Sequence, residues 1–168
     1  VGSEMCIRDR VDVMANEAIQ DINIVAGCLK QWFRELPDPL LTYQLYPAFI
    51  EASKIENDFL RQVRLHEQVN NLPDANYATL RFLMAHLDRI RAHESINQMS
   101  AHNLAIVFGP TLLRSPHEAQ MAGAGAAASH GGVGQMYFPD MSLQCKAIET
   151  ILLKYRDIFV ESDEDDLS

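Results

Sequence analysis

Residues 29–42 read LKQWFRELPDPLLT. Lys30 and Arg34 stand four positions apart, Trp32 and Phe33 lie between them, and Pro37 and Pro39 follow at once. On a helix, residues i and i+4 share a face, so the two cations are neighbours there, a placement that costs roughly 0.2–0.5 kcal/mol. Pro37 ends such a helix, because proline has no amide donor and disfavours helical backbone in the residue before it. Two readings of the pair are open. It belongs to a solvated face on which Glu35 and Asp38 relieve the repulsion, or it awaits an acidic or phosphate-bearing partner.

Upstream, Ile22, Val25, Leu29, Trp32, Phe33 and Leu36 recur at spacings of three and four, the period of a helix. Asp21 is placed to cap it, since a carboxylate accepts the free amides of a first turn. Cys28 falls in this apolar stretch and reads as a small buried residue. Downstream, a second helix is expected from about Tyr43 to Ser53, with Pro47 tolerated near its first turn. A third is expected over Asn57 to Asn70. The strongest stripe follows: Tyr77, Leu80, Leu83, Met84, Leu87 and Ile90. Ser100 reads as the cap of a fifth helix carrying Leu104, Val107 and Phe108, which Gly109 and Pro110 are expected to break. A last helix is expected from about Ser142 to Phe159. No alternating strand pattern competes, so the expected fold is all-α.

The 168 residues suit one domain, and 48% hydrophobic with 22% charged residues suits a packed core. Of the net charge of −9, five negative charges (Glu161, Asp163, Glu164, Asp165 and Asp166) lie in the last eight residues, which leaves the body at −4. Nonspecific nucleic-acid binding needs a basic surface and is not expected. Residues 161–168 read as a solvated acidic tail and residues 119–135, AQMAGAGAAASHGGVGQ, as a flexible Gly/Ala-rich loop. The first ten residues, VGSEMCIRDR, show no sustained period and read as a non-native segment.

Motifs for bond-breaking chemistry are missing. His66-Glu67 and His93-Glu94 are followed by Asn70 and Asn97 where a second zinc-ligating histidine would stand. Cys6, Cys28 and Cys145 make no CxxC pair, so neither a metal site nor a disulfide framework is expected. There is no G-x-S-x-G and no G-x-x-x-x-G-K-[ST], and no cofactor is called for.

Two long stretches carry a resemblance. LKQWFRELPDPLLT (29–42) resembles the RhoGAP (Rho GTPase-activating) domain motif in which a helix with K-x-x-x-R leads into E-L-P-x-P-L. NQMSAHNLAIVFGPTLLRSP (97–116) resembles the second signature of that domain, N-x-M-x-x-x-N-L-A-x-V-F-G-P-x-L. LPDANYATLRFLMAHLDRI (72–90) also fits the pattern, and the wording of DINIVAGCLK, TYQLYPAFIEASKI, LRFLMAHL and FGPTLLRSP is most similar to the chimaerins. The resemblance covers about residues 17–160.

It implies a helical bundle that docks on the switch regions of a Rho-family small GTPase, a Rac-like one if the chimaerin likeness extends that far, with GTP and Mg bound on the partner. Lys30 and Arg34 would meet acidic or carbonyl groups at the active centre, and Asn103 would add polar contacts. Taken alone, Asn103 reads as an amide near a helix start that satisfies local backbone groups. Pro37, Pro39, Gly109 and Pro110 would fix the turns. The family's arginine finger sits in a pattern like G-x-x-R-x-S-G, and a finger is worth ~10³–10⁵ in rate. Arg8 and Arg10 are the only arginines before Arg34, and CIRDR lacks the glycines and serine of that pattern, so no catalytic residue is assigned. The expectation is therefore a partial RhoGAP domain over residues 11–160, lacking its first helix and finger loop. It should activate poorly and leave part of its apolar surface uncovered. A binding-only module is the alternative. The expected setting is cytoplasmic, with membrane recruitment through other domains of the parent.

Overall fold

A computed structural model describes residues 22–116 and 140–159. Asp21, the first ten residues, the 119–135 loop and the acidic tail lie outside the described residues. Eight helices are described: α1 (Ile22–Glu35), α2 (Tyr46–Lys54), α3 (Asp58–Asn70), α4 (Asp74–Arg91), α5 (Glu94–Asn97), α6 (Ala101–Leu112), α7 (Met141–Leu153) and α8 (Tyr155–Ile158). No strand occurs among the described residues, so the all-α reading holds.

The expected helices lie where the apolar periods put them, and local chemistry sets several ends. Asn57 caps α3 by accepting the Leu60 amide at 3.0 Å, and Ser100 caps α6 by accepting the Asn103 amide at 3.1 Å. Pro47 sits in the first turn of α2, where its missing donor costs nothing.

The core forms around α7. Gln144, Cys145, Ala147, Ile148, Thr150, Ile151 and Leu152 are buried on nearly all sides of this helix, which packs on α2, α3, α4 and α6. The α4 stripe meets it with Leu80, Leu83, Met84 and Leu87, and α2 with Phe49 and Ile50. Each such side chain contributes about 1.5–3 kcal/mol on burial. Buried Arg61 is satisfied throughout: it donates to Thr150 Oγ1 at 3.1 Å, to the carbonyls of Ile55 at 2.9 Å and Glu56 at 3.1 Å, and to Asp58. It thereby ties the α2–α3 connection to α7.

Several expectations are corrected. Gly109 and Pro110 do not break α6, which runs on to Leu112. Proline removes one donor, but Leu113 N still reaches the Gly109 carbonyl at 3.0 Å, and Thr111 Oγ1 donates to the Val107 carbonyl at 3.3 Å. Gly109 is required by packing instead. A Cβ there would come within 3.0 Å of the Cys145 backbone. The last helix is interrupted at Lys154, whose φ of −106° and ψ of 21° leave the helical range, and Phe159 beyond it packs between Tyr155 and Tyr77, with ring centroids 5.5 Å away in each case. The short α5 has too little periodicity to be seen in advance.

Cys28 is exposed, not buried. Among the described residues α1 packs chiefly against α6, with Phe33 its one buried side chain, which leaves Cys28 uncovered there. Ile22, Ile24, Leu29 and Trp32 are exposed on it among the described residues.

Candidate functional site at the α1–α6 cleft

Lys30 and Arg34 come together. They line a cleft of about 330 Å³ with Ile106, Val107, Pro110 and Thr111 of α6 and Met141 at the start of α7. Ala101, Leu104, Ala105, Phe108 and Leu112 turn α6 inward. That leaves a strip through Ile106, Val107 and Pro110 at helical spacing, beside which Lys30 and Arg34 of α1 stand. Pro110 has a chemical effect here. Lacking an amide, it takes away the donor that the Ile106 carbonyl would otherwise receive four residues on. The cleft therefore offers two cations and an apolar wall.

The nearby acids are hydrogen-bonded to neutral donors. Glu35 accepts from Gln31 Nε2 at 2.6 Å, and Asp38 accepts the Tyr43 amide at 2.8 Å. Neither cation makes an ion pair among the described residues.

The proline-bearing stretch 36–45 is a rigid support for the end of α1. Pro39 is buried, and its carbonyl accepts the Thr42 amide at 2.8 Å. Leu41 N donates to the Leu112 carbonyl at 3.1 Å, and Asn76 Nδ2 to the Leu40 carbonyl at 2.8 Å. Thr42 is held at φ 56°, a left-handed conformation that is strained for a β-branched residue. Its Oγ1 accepts the Leu45 amide at 3.3 Å, which leads the chain into α2. Pro37 stays exposed and ends α1, as its chemistry requires.

Asn103 does not line the cleft. It is exposed one turn before Ile106 and Val107, and its Nδ2 donates to the Gln98 carbonyl at 2.8 Å. Gln98 takes a left-handed φ of 57°. Asn97 braces the same turn, accepting the Met99 amide and donating to the Ile90 carbonyl, each at 2.8 Å. The two asparagines of N-x-M-x-x-x-N therefore hold the α5–α6 turn, while Asn103 leaves its side-chain oxygen for a further donor.

Sequence reasoning missed Arg114. It lies in the quoted FGPTLLRSP stretch, yet its partners are 78 and 80 residues away: Nη1 donates to the Arg34 carbonyl at 2.8 Å and Nη2 to the Leu36 carbonyl. Nothing in its local spacing announces this.

The family model of the RhoGAP domain matches residues 5–117. The chain belongs to the RhoGAP domain family. N-chimaerin of Rattus norvegicus is 52% identical over 114 residues, covering 68% of this chain and 34% of its own length. Beta-chimaerin of Rattus norvegicus is 48% identical over 113 residues, covering 67% of this chain and 38% of its own. The solved structure of human Rho GTPase activating protein 15 superposes with a TM-score of 0.70 at 36% identity, covering 87% of this chain and 62% of that one. The chain thus spans about a third of the length of these curated relatives. Both signature stretches of this RhoGAP domain, 29–42 and 97–116, lie inside the matched residues. Among the described residues no helix is long and apolar enough to cross a membrane.

Proposed function

We propose that this RhoGAP domain binds the GTP-bound form of a Rho-family small GTPase and supports GTP hydrolysis on that partner, as part of signal transduction. The observation that carries the reading is the cleft in which Lys30 and Arg34, without acidic partners among the described residues, stand against Ile106 and Pro110. A GTPase bearing GTP and Mg brings the acidic and carbonyl groups such a pair lacks. Lys30 and Arg34 would hold the partner's active-centre loop, and Asn103 would contact it through its free amide oxygen. Pro37, Pro39, Gly109 and Pro110 keep α1 and α6 in place for this. A standard interface of ~1,200–2,000 Å² is expected. Likeness to the chimaerins supports a Rac-like GTPase as the partner.

No arginine in a G-x-x-R-x-S-G setting occurs in the 168 residues, so no residue is assigned to stabilise charge on the transferring phosphate. Binding is therefore expected to be stronger than acceleration, and a binding-only module is the second reading. The test measures GTP hydrolysis by a Rac-like GTPase with and without the chain, alongside binding to the same GTPase loaded with a non-hydrolysable GTP analogue. Binding with little acceleration fits a module that holds the switch regions. Acceleration by orders of magnitude would refute the weak-activator expectation, and no binding to any Rho-family member would end the proposal.

A further inference from the structure

We propose that Arg114 is a positioning residue for the Lys30–Arg34 face: its guanidinium fixes the C-terminal end of α1 against α6 and so sets where the two cations stand. What the face serves rests on the GTPase-binding reading above; the placement itself does not.

A helix end leaves its last carbonyls without intrahelical partners, and a glycine just past the end commonly lets the backbone turn back and satisfy them. Here Leu36 and Pro37 follow α1, so that route is closed. The donor comes instead from across the fold. Arg114, two residues beyond α6, donates through Nη1 to the Arg34 carbonyl at 2.8 Å and through Nη2 to the Leu36 carbonyl. The same guanidinium carbon lies 5.7 Å from the centroid of the Tyr43 ring. Its Nε is buried without an acceptor among the described residues, so the side chain is committed to this placement at the expense of one donor.

One side chain thus touches the last turn of α1, the entry to the proline stretch and Tyr43 beyond it. These carbonyls also carry the negative end of the helix dipole, which favours a cation there. The restraint matters because, among the described residues, α1 has few others: Phe33 is its one buried side chain and α6 its main neighbour. Arginine suits the task because its planar fork makes two directed bonds while presenting a face to an aromatic ring. A lysine would keep the charge and lose the fork.

The test uses the full chain, Arg114→Ala, Arg114→Lys, a Lys30→Ala/Arg34→Ala variant, and that double variant combined with Arg114→Ala. In hydrogen exchange without any GTPase, Arg114→Ala should speed exchange of amides between residues 29 and 38 by about tenfold and leave α7 unchanged, with Arg114→Lys in between. Unchanged exchange in that segment would overturn the proposal. Binding is then measured to a Rac-like GTPase loaded with a non-hydrolysable GTP analogue, at a temperature where every variant is folded. Arg114→Ala should weaken binding about five- to tenfold in the parent background and less than about twofold once Lys30 and Arg34 are alanine. An equal loss in both backgrounds would show that Arg114 does not act through the pair, and would sink the claim. If the unmodified chain binds no GTPase, the functional reading fails, and the exchange result still decides whether Arg114 sets the end of α1.

Discussion

The backbone of Gly109 lies against that of Cys145: a Cβ on residue 109 would stand 3.0 Å from both the Cα and the N of Cys145, and 3.1 Å from the Gln144 carbonyl carbon. Those are main-chain atoms of the central helix and cannot swing aside. Gly109→Ala must push α6 from α7, a cost of about 1–3 kcal/mol. Thermal unfolding should show Tm lowered by about 4 °C or more. An unchanged Tm would mean that α6 and α7 do not meet this closely.

Lys30→Glu and Arg34→Glu should each weaken binding to a GTP-loaded Rho-family GTPase by about tenfold or more, since attraction becomes repulsion at a contact removed from water. Stability should barely move. Reversal at Arg34 loses a favourable interaction with the helix end of about 0.3–1 kcal/mol, while relief of the like-charge pair returns roughly 0.2–0.5 kcal/mol. Titration of the loaded GTPase and thermal unfolding, run side by side, separate the two effects. Normal binding by both variants would put the partner on a different face.

Gln98→Gly should stabilise the chain by about 0.5–1 kcal/mol, read by urea unfolding. Glycine adopts the φ of 57° found there without strain, although its freer unfolded state takes back part of the gain. Asn103→Ala should do the opposite, by about 1 kcal/mol, because the Gln98 carbonyl loses the donor now at 2.8 Å. Binding decides whether Asn103 does more than brace this turn. If its amide oxygen meets the GTPase, the alanine variant loses affinity and Gln98→Gly does not.

Tyr46 supplies a pH dependence. Its hydroxyl donates to Asp140 Oδ2 at 2.9 Å, just before α7. Burial, and then the Asp140 carboxylate, push its pKa from 10.0 up to about 12. A pKa higher in the folded state than in the unfolded one means that the folded chain holds the proton more tightly. The associated stability is therefore complete below pH 10 and is lost as pH rises from 10 towards 12. Unfolding free energies followed through that window should fall for the parent chain, and Tyr46→Phe should flatten the fall while lowering stability at neutral pH. Parallel curves for the two proteins would count against the Tyr46–Asp140 bond.

The longer helices were legible because the interactions that make them span three or four residues: the α4 stripe, the Ser100 cap and the stop at Pro37 are all local, whereas α5, the break at Lys154 and the start of α2 at Tyr46 rather than Tyr43 were not. The membership of Lys30 and Arg34 in one face was legible for the same reason. That neither forms an ion pair among the described residues was not. Glu35 and Asp38 lie close by in sequence, yet Gln31 and the Tyr43 amide take them.

The sequence by itself determined an all-helical chain of the RhoGAP domain family, with its cations and prolines at the end of one helix, since periodicity and motif wording are properties of order along the chain. Only the tertiary structure decided that α6 runs through Pro110, that Cys28 faces outward, and that Arg114 holds the carbonyls of Arg34 and Leu36. Each of these depends on a surface brought up from far away in the sequence. A glycine that reads as a breaker becomes a point of close packing when a second helix lies on it, and a cysteine in an apolar stretch stays exposed when, among the described residues, its helix packs chiefly on one other.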